Sequence, residues 1–93
     1  GAEKDQILDT ELLAVRLLDF LRSLKPADFI ARFKLEDIDL DAIDSYELLN
    51  VIGKKRGMLI SGGEIDTERA AIMLLDEFRS GKLGRITLEM PER

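Results

Sequence analysis

The sequence predicts an all-α fold, a small bundle of about four helices with a Gly-rich connector before the last helix. Three observations point there. Apolar residues recur at intervals of three and four in separate stretches. Cap and stop residues bracket those stretches. The chain has 93 residues, which suits a single domain over 1–93. At this length roughly 60–65% of the surface exposed by the unfolded chain is buried on folding, so the apolar residues have to share one core.

The first helical pattern runs from Asp9 to Leu24. Leu13, Leu17, Leu21 and Leu24, flanked by Ala14 and Phe20, form a wide apolar stripe, with Asp9 or Thr10 as N-cap. Pro26 starts a second, shorter helix through Phe29, Ile30 and Phe33, since the N–H that proline lacks has no partner in a first turn anyway. Residues 34–44 read as an acidic connector with isolated apolar anchors. They fit no calcium loop, because no register offers Gly at the sixth position and Glu at the twelfth. A third helix begins at Asp44, with Glu47 three residues on as in a capping box. Tyr46, Leu49, Ile52 and Leu48 are its expected core residues, and Gly53 weakens its end. Met58-Leu59-Ile60 has no obvious strand partner and is expected as an extended connector, with Gly62-Gly63 as a turn. Asp66 caps a fourth helix from Thr67 to about Ser80, whose inner face is Ala70, Ala71, Leu74, Leu75 and Phe78 and whose end is Gly81. The tail Ile86–Met90 alternates like a strand but, being alone, is assigned as extended.

Composition narrows the chemistry. With 45% hydrophobic and 35% charged residues the chain is globular rather than disordered. It has neither cysteine nor histidine. That removes disulfides, thiolate metal sites and the usual general base. The longest apolar run, Ala70–Leu75, is far short of a membrane span of about 20 residues. With no apolar leader visible in an acidic N-terminus, a soluble, cytoplasmic, monomeric protein or fragment without membrane contact is expected. Net charge is −5, but unevenly distributed: residues 1–52 carry 6 Lys and Arg against 12 Asp and Glu, residues 53–93 carry 8 against 7. An isoelectric point near 4.7 argues against a general nucleic-acid binder. The asymmetry leaves room for one basic face.

That face centres on Gly53-Lys54-Lys55-Arg56-Gly57, three adjacent cations between glycines. Part of the cluster is explained by the helix dipole, which favours cations in a last turn by about 0.3–1 kcal/mol each. The remainder is easier to understand if a polyanion neutralises it. Arg69, Arg79, Lys82 and Arg85 add cations on and after the fourth helix, and Gly62 and Gly63 would let backbone amides approach phosphates. Ser80-Gly81-Lys82 is not a P-loop: Asp76 stands where Gly is needed, Leu83 where Ser or Thr is needed, and a helix ends there instead of starting. Adjacent acids such as Asp76/Glu77 and Glu64/Asp66 read as solvated faces rather than acid–base pairs.

Gly53-Lys54-Lys55-Arg56-Gly57, Ser61-Gly62-Gly63-Glu64-x-Asp66, Arg69-Ala70-Ala71 and Phe78-Arg79-x-Gly81-Lys82-Leu83-Gly84-Arg85-x-Thr87-Leu88-Glu89 together resemble the C-terminal domain of the ribosome biogenesis GTPase A family, the YlqF-type circularly permuted GTPases. The opening Gly1-Ala2-x-Lys4-Asp5 is similar to the segment that joins the GTPase domain to it. The resemblance covers essentially the whole chain and is strongest from Gly53 to Glu89. It implies an all-helical, ANTAR-like, non-catalytic module that binds ribosomal RNA during late assembly of the large (50S) subunit. GTP and magnesium would sit in a GTPase domain absent from this chain, which itself would hold no cofactor. Lys54, Lys55, Arg56, Gly62, Gly63, Arg69, Arg79, Lys82 and Arg85 are then the expected RNA-binding residues, with no catalytic or metal-binding residue among them. The alternative is a protein-interaction domain that docks on its own GTPase domain or on a ribosomal protein. An independent enzyme is the third reading.

Overall fold

The computed structural model describes residues 2–84. Four helices follow one another: α1 (Ala2–Leu24), α2 (Ala27–Arg32), α3 (Ser45–Lys55) and α4 (Thr67–Arg79). The all-α expectation holds. Arg85 and the Ile86–Met90 tail lie outside the described residues.

Helix α1 starts seven residues before the expected cap at Asp9. Its first turns, Ala2-Glu3-Lys4-Asp5-Gln6-Ile7-Leu8, contain no Gly or Pro and several strong helix formers, so nothing stops the helix there. Its buried face is Ala14, Leu17, Leu18 and Leu21, whereas Leu13 and Leu24 are each 54% exposed. The stripe is therefore rotated from the one the spacing favours. The doublets Leu12-Leu13 and Leu17-Leu18 make the apolar sector wider than its neighbours can cover, and periodicity does not choose the covered edge.

Helices α1, α3 and α4 pack pairwise against one another. Leu48, Leu49 and Ile52 of α3 and Ala70, Ala71 and Leu74 of α4 complete a core in which each buried Leu or Ile contributes about 1.5–3 kcal/mol. Short helix α2 and the turn after it add Phe29, Phe33 and Leu35; the two rings meet edge to face with centroids 5.7 Å apart. In the connector, Leu35 and Leu40 are buried and Ile38 and Ile43 pack against the core, as the isolated anchors suggest. Asp44 caps α3, accepting from the Tyr46 and Glu47 amides at 3.0 and 3.2 Å. Tyr46 itself stays outside, 46% exposed, and fully buried Leu48 belongs to the core instead.

The ends of α2, α3 and α4 share one geometry. After α4, left-handed Gly81 (φ 81°) donates to the Phe78 carbonyl at 3.2 Å and Lys82 to that of Glu77 at 3.0 Å. This Schellman pattern satisfies two of the carbonyls a helix end leaves open. After α2 the left-handed position is Lys34 (φ 56°), with Leu35 donating to the Ile30 carbonyl at 2.9 Å.

Met58-Leu59-Ile60 does have a partner, contrary to the reading of a lone connector. Leu59 bridges Ile65 in antiparallel fashion, Ile60 donates to the Glu64 carbonyl and Asp66 to that of Met58, both at 2.8 Å. The chain folds back through the Gly62-Gly63 turn, so the partner lies only a few residues on.

Gly53 does more than weaken a helix end. It is buried where α3 crosses α4, and a Cβ there would lie 2.8 Å from Ile65 Cγ2 and 3.2 Å from Ala70 Cβ. On an open helix face a side chain in place of this glycine would stabilise by roughly 0.5–1 kcal/mol. Here Gly53→Val is expected to destabilise by about 2 kcal/mol through overpacking, read as a lower urea midpoint with unchanged slope. A raised midpoint would show that the crossing is looser than described.

Candidate nucleic-acid interface

The cationic cluster folds into two different environments. Arg56 is the C-cap of α3, and its side chain turns inward over the C-terminal half of α4. Its Nη1 and Nη2 each donate to the Glu77 carboxylate at 3.2 Å, and its guanidinium carbon lies 4.9 Å from the centroid of the Phe33 ring. Arg32, at the end of α2, donates from Nε to the same carboxylate at 2.6 Å, with Nη2 at a marginal 3.5 Å. Three helices are thus tied at one nearly buried carboxylate, whose side chain is 11% exposed.

Burial pushes the Glu77 carboxyl up, but the hydrogen bonds and charges of Arg32 and Arg56 outweigh it and hold the group below its ordinary value. Arg32 shifts the other way, raised first by its hydrogen bond to Glu77 and next opposed by desolvation. The expectation that Asp76 and Glu77 share a solvated face therefore holds only for Asp76, whose side chain is 66% exposed. The sequence reading gives Arg32 no role and puts Glu77 on a solvated face. The signal was present for the latter: Ala70, Leu74 and Glu77 fall at spacings of four and three, which puts the acid on the buried stripe.

The other cations are freer. Lys54, Arg69 and Lys82 are exposed and form no ion pair with another described residue. Lys55 lies 3.7 Å from Asp37 and Arg79 3.5 Å from Asp76. Such exposed pairs contribute about 0–1 kcal/mol and are readily exchanged for another anion. Gly62 and Gly63 (φ 93° and 86°) form an open turn with nothing within 4 Å of where a Cβ would stand. The Gly63 amide donates to the Ile60 carbonyl at 3.0 Å, so Gly63 shapes the turn.

These groups do not all converge. Arg56 bonds to the Glu77 carboxylate and the Lys82 amide to the Glu77 carbonyl, which brings the end of α3, where Lys54 and Lys55 stand, and the end of α4, which Lys82 follows, to one pole of the bundle. Arg79 is two residues past Glu77 and so points about 200° away around the helix, toward α1. Arg69 is ten residues before Arg79, about 15 Å along the axis. The pole and the two outlying arginines are the described parts of the expected surface.

No family model matches the sequence, and no solved structure matches it. Among individual proteins, the chain is 41% identical over 92 residues to ribosome biogenesis GTPase A of Bacillus cereus, covering 99% of this chain and 30% of that protein. It is 38% identical over 91 residues to ribosome biogenesis GTPase A of Priestia megaterium, covering 98% and 31%. A match to ribosome biogenesis GTPase A of Thermotoga maritima, 41% over 46 residues, covers 50% of the chain and 18% of that protein. The chain thus spans about 30% of the length of the two relatives that match nearly all of it.

The Glu77 node predicts a specific acid response. A carboxyl whose folded value is lowered contributes stability that is present above its unfolded value and is lost as pH falls through the folded one. Glu77→Gln is therefore expected to be less stable than the parent by about 2 kcal/mol at neutral pH, a figure reduced for the partial exposure of both arginines. The gap should close from about pH 5 downward. Urea titrations of both proteins across that range check it, and a gap that does not change with pH would remove Glu77 as its source.

Proposed function

We propose that this chain, which corresponds to a C-terminal part of ribosome biogenesis GTPase A, serves ribosome biogenesis as a non-catalytic module that binds ribosomal RNA of the large-subunit precursor in the cytoplasm. GTP and magnesium belong, in this reading, to the portion of the relatives that the chain does not span. The observation that carries it is the set Lys54, Arg69 and Lys82: exposed cations without a carboxylate partner among the described residues, on a chain of net charge −5. An acidic body has ample carboxylates with which to neutralise them, and among the described residues none pairs with these three. Lys55 and Arg79 join by exchanging weak pairs for phosphate, Gly62 and Gly63 shape the loop, and Arg85 extends the set beyond the described residues.

Arg56 has a different role. Its guanidinium is committed to Glu77 and Phe33, so it supports the pole rather than meeting phosphate. The test is filter binding of a large-subunit rRNA fragment between about 50 and 200 mM salt. Lys54→Ala, Arg69→Ala and Lys82→Ala should each lower the slope of log K against log salt by about 0.7–0.9. Arg56→Ala should lower thermal stability and leave that slope unchanged at temperatures where it stays folded. Identical slopes for the parent and the three lysine and arginine variants would refute RNA contact at these residues.

A further inference from the structure

Beside the cationic pole, α1 and α4 leave an apolar groove of about 580 Å³ between them. Leu13, Leu17 and Phe20 line it from α1, Leu75 and Phe78 from α4, and Arg16 and Arg79 stand beside them. We infer that this groove is a docking site for one amphipathic helix of a protein partner, with apolar residues on its inner face and carboxylates along its flanks.

Leu13, Leu17 and Phe20 are spaced by four and three, the pattern a helix presents to another helix packed along it. In the bundle α1 meets its neighbours through Ala14, Leu17, Leu18 and Leu21, and Phe20 packs partly buried beside them, so this second row is covered at Leu17 and open at Leu13, which is 54% exposed. The seam of two adjacent helices is the place where a third adds to a bundle, and peptide helices are commonly bound in such grooves through i, i+3, i+4 and i+7 anchors. An RNA base fits less well. Apart from the two guanidinium groups the lining side chains are hydrocarbon, so acceptor and donor edges of a base would enter without partners.

Charge selects the occupant. Arg16 is exposed and has no ion pair with a described residue, and the Arg79 side chain is 68% exposed and held only by its neighbour Asp76. No acidic side chain lines the groove. Two cations beside an apolar floor complement a helix with Glu or Asp at its margins, as flanking charges do in coiled coils. A second copy of the chain is disfavoured, since it would bring the same two cations and another net charge of −5. The inference does not depend on RNA binding at the neighbouring pole, although Arg79 borders both surfaces.

A designed 20-residue helical peptide, with leucines at i, i+3, i+4 and i+7 and glutamates beside them, tests it against the 93-residue chain by amide chemical-shift mapping and fluorescence anisotropy. Binding should shift amides around Leu13, Phe20, Leu75 and Phe78. The same peptide with lysines in place of glutamates should bind roughly tenfold more weakly, and the combined variant Arg16→Glu and Arg79→Glu should reverse that preference. Leu13→Ser, at an exposed position that leaves the core intact, should weaken the peptide severalfold with unchanged melting temperature. Equal affinity for both peptides, or shifts elsewhere on the domain, would overturn the inference. So would dimerisation through this face, or contacts of residues 86–90 in the groove of the free chain.

Discussion

Arg32, Arg56 and Glu77 hold the geometry of one end of this bundle. Helix α2 has six residues and too little length to be stable by itself, and α3 ends close by. A carboxylate from α4 receives hydrogen bonds from both, and Phe33 lies beneath one of the two guanidinium groups. The interaction is expensive to desolvate and is stabilising only as a complete set. It therefore fixes relative placement more than it adds stability: the ends of α2 and α3 are held against α4 because their arginines share one anion.

The surface divides into regions with different chemistry. At the pole, cations project beyond a committed arginine. Along the α1–α4 seam, hydrocarbon is left exposed beside two further arginines. Acids are concentrated in the connector between α2 and α3, where Asp37, Asp41 and Asp44 are used for an exchangeable pair, a tether to Lys25 and a helix cap. The separation follows from the chain order, with the connector on the early side and the basic cluster after α3. The two sets still meet where Lys55 pairs with Asp37 at 3.7 Å.

Much of this was legible in the sequence because the signals are local. Asp44 and Asp66 cap helices and Gly81 ends one, since a side-chain acceptor or a missing Cβ acts within three residues. What depends on tertiary contact was not legible. Leu13 and Leu18 are equally leucine, and only the placement of α3 and α4 decides that the second is covered. Gly53 reads in the sequence as a weak helix residue, and its purpose becomes visible only when Ile65 and Ala70 are brought against it. Within the cationic stretch, Lys54 and Arg56 are two residues apart and equally charged. Their fates differ because an arginine at the cap position can reach Glu77, and Glu77 came into view only as part of a buried face.

Lys34 shows how backbone shape and charge compete at a single position. It ends α2 in a left-handed conformation that costs a residue with a side chain about 1 kcal/mol more than it costs glycine. Its side chain is exposed and forms no ion pair with a described residue. Lys25, the other left-handed lysine, does have such a contact, 2.9 Å from Asp41. Glycine at residue 34 would relax the turn and take one positive charge from the side of the domain where Arg32 and Arg56 meet. Resistance to unfolding and attraction for anions are set against each other there, and the sequence keeps the charge.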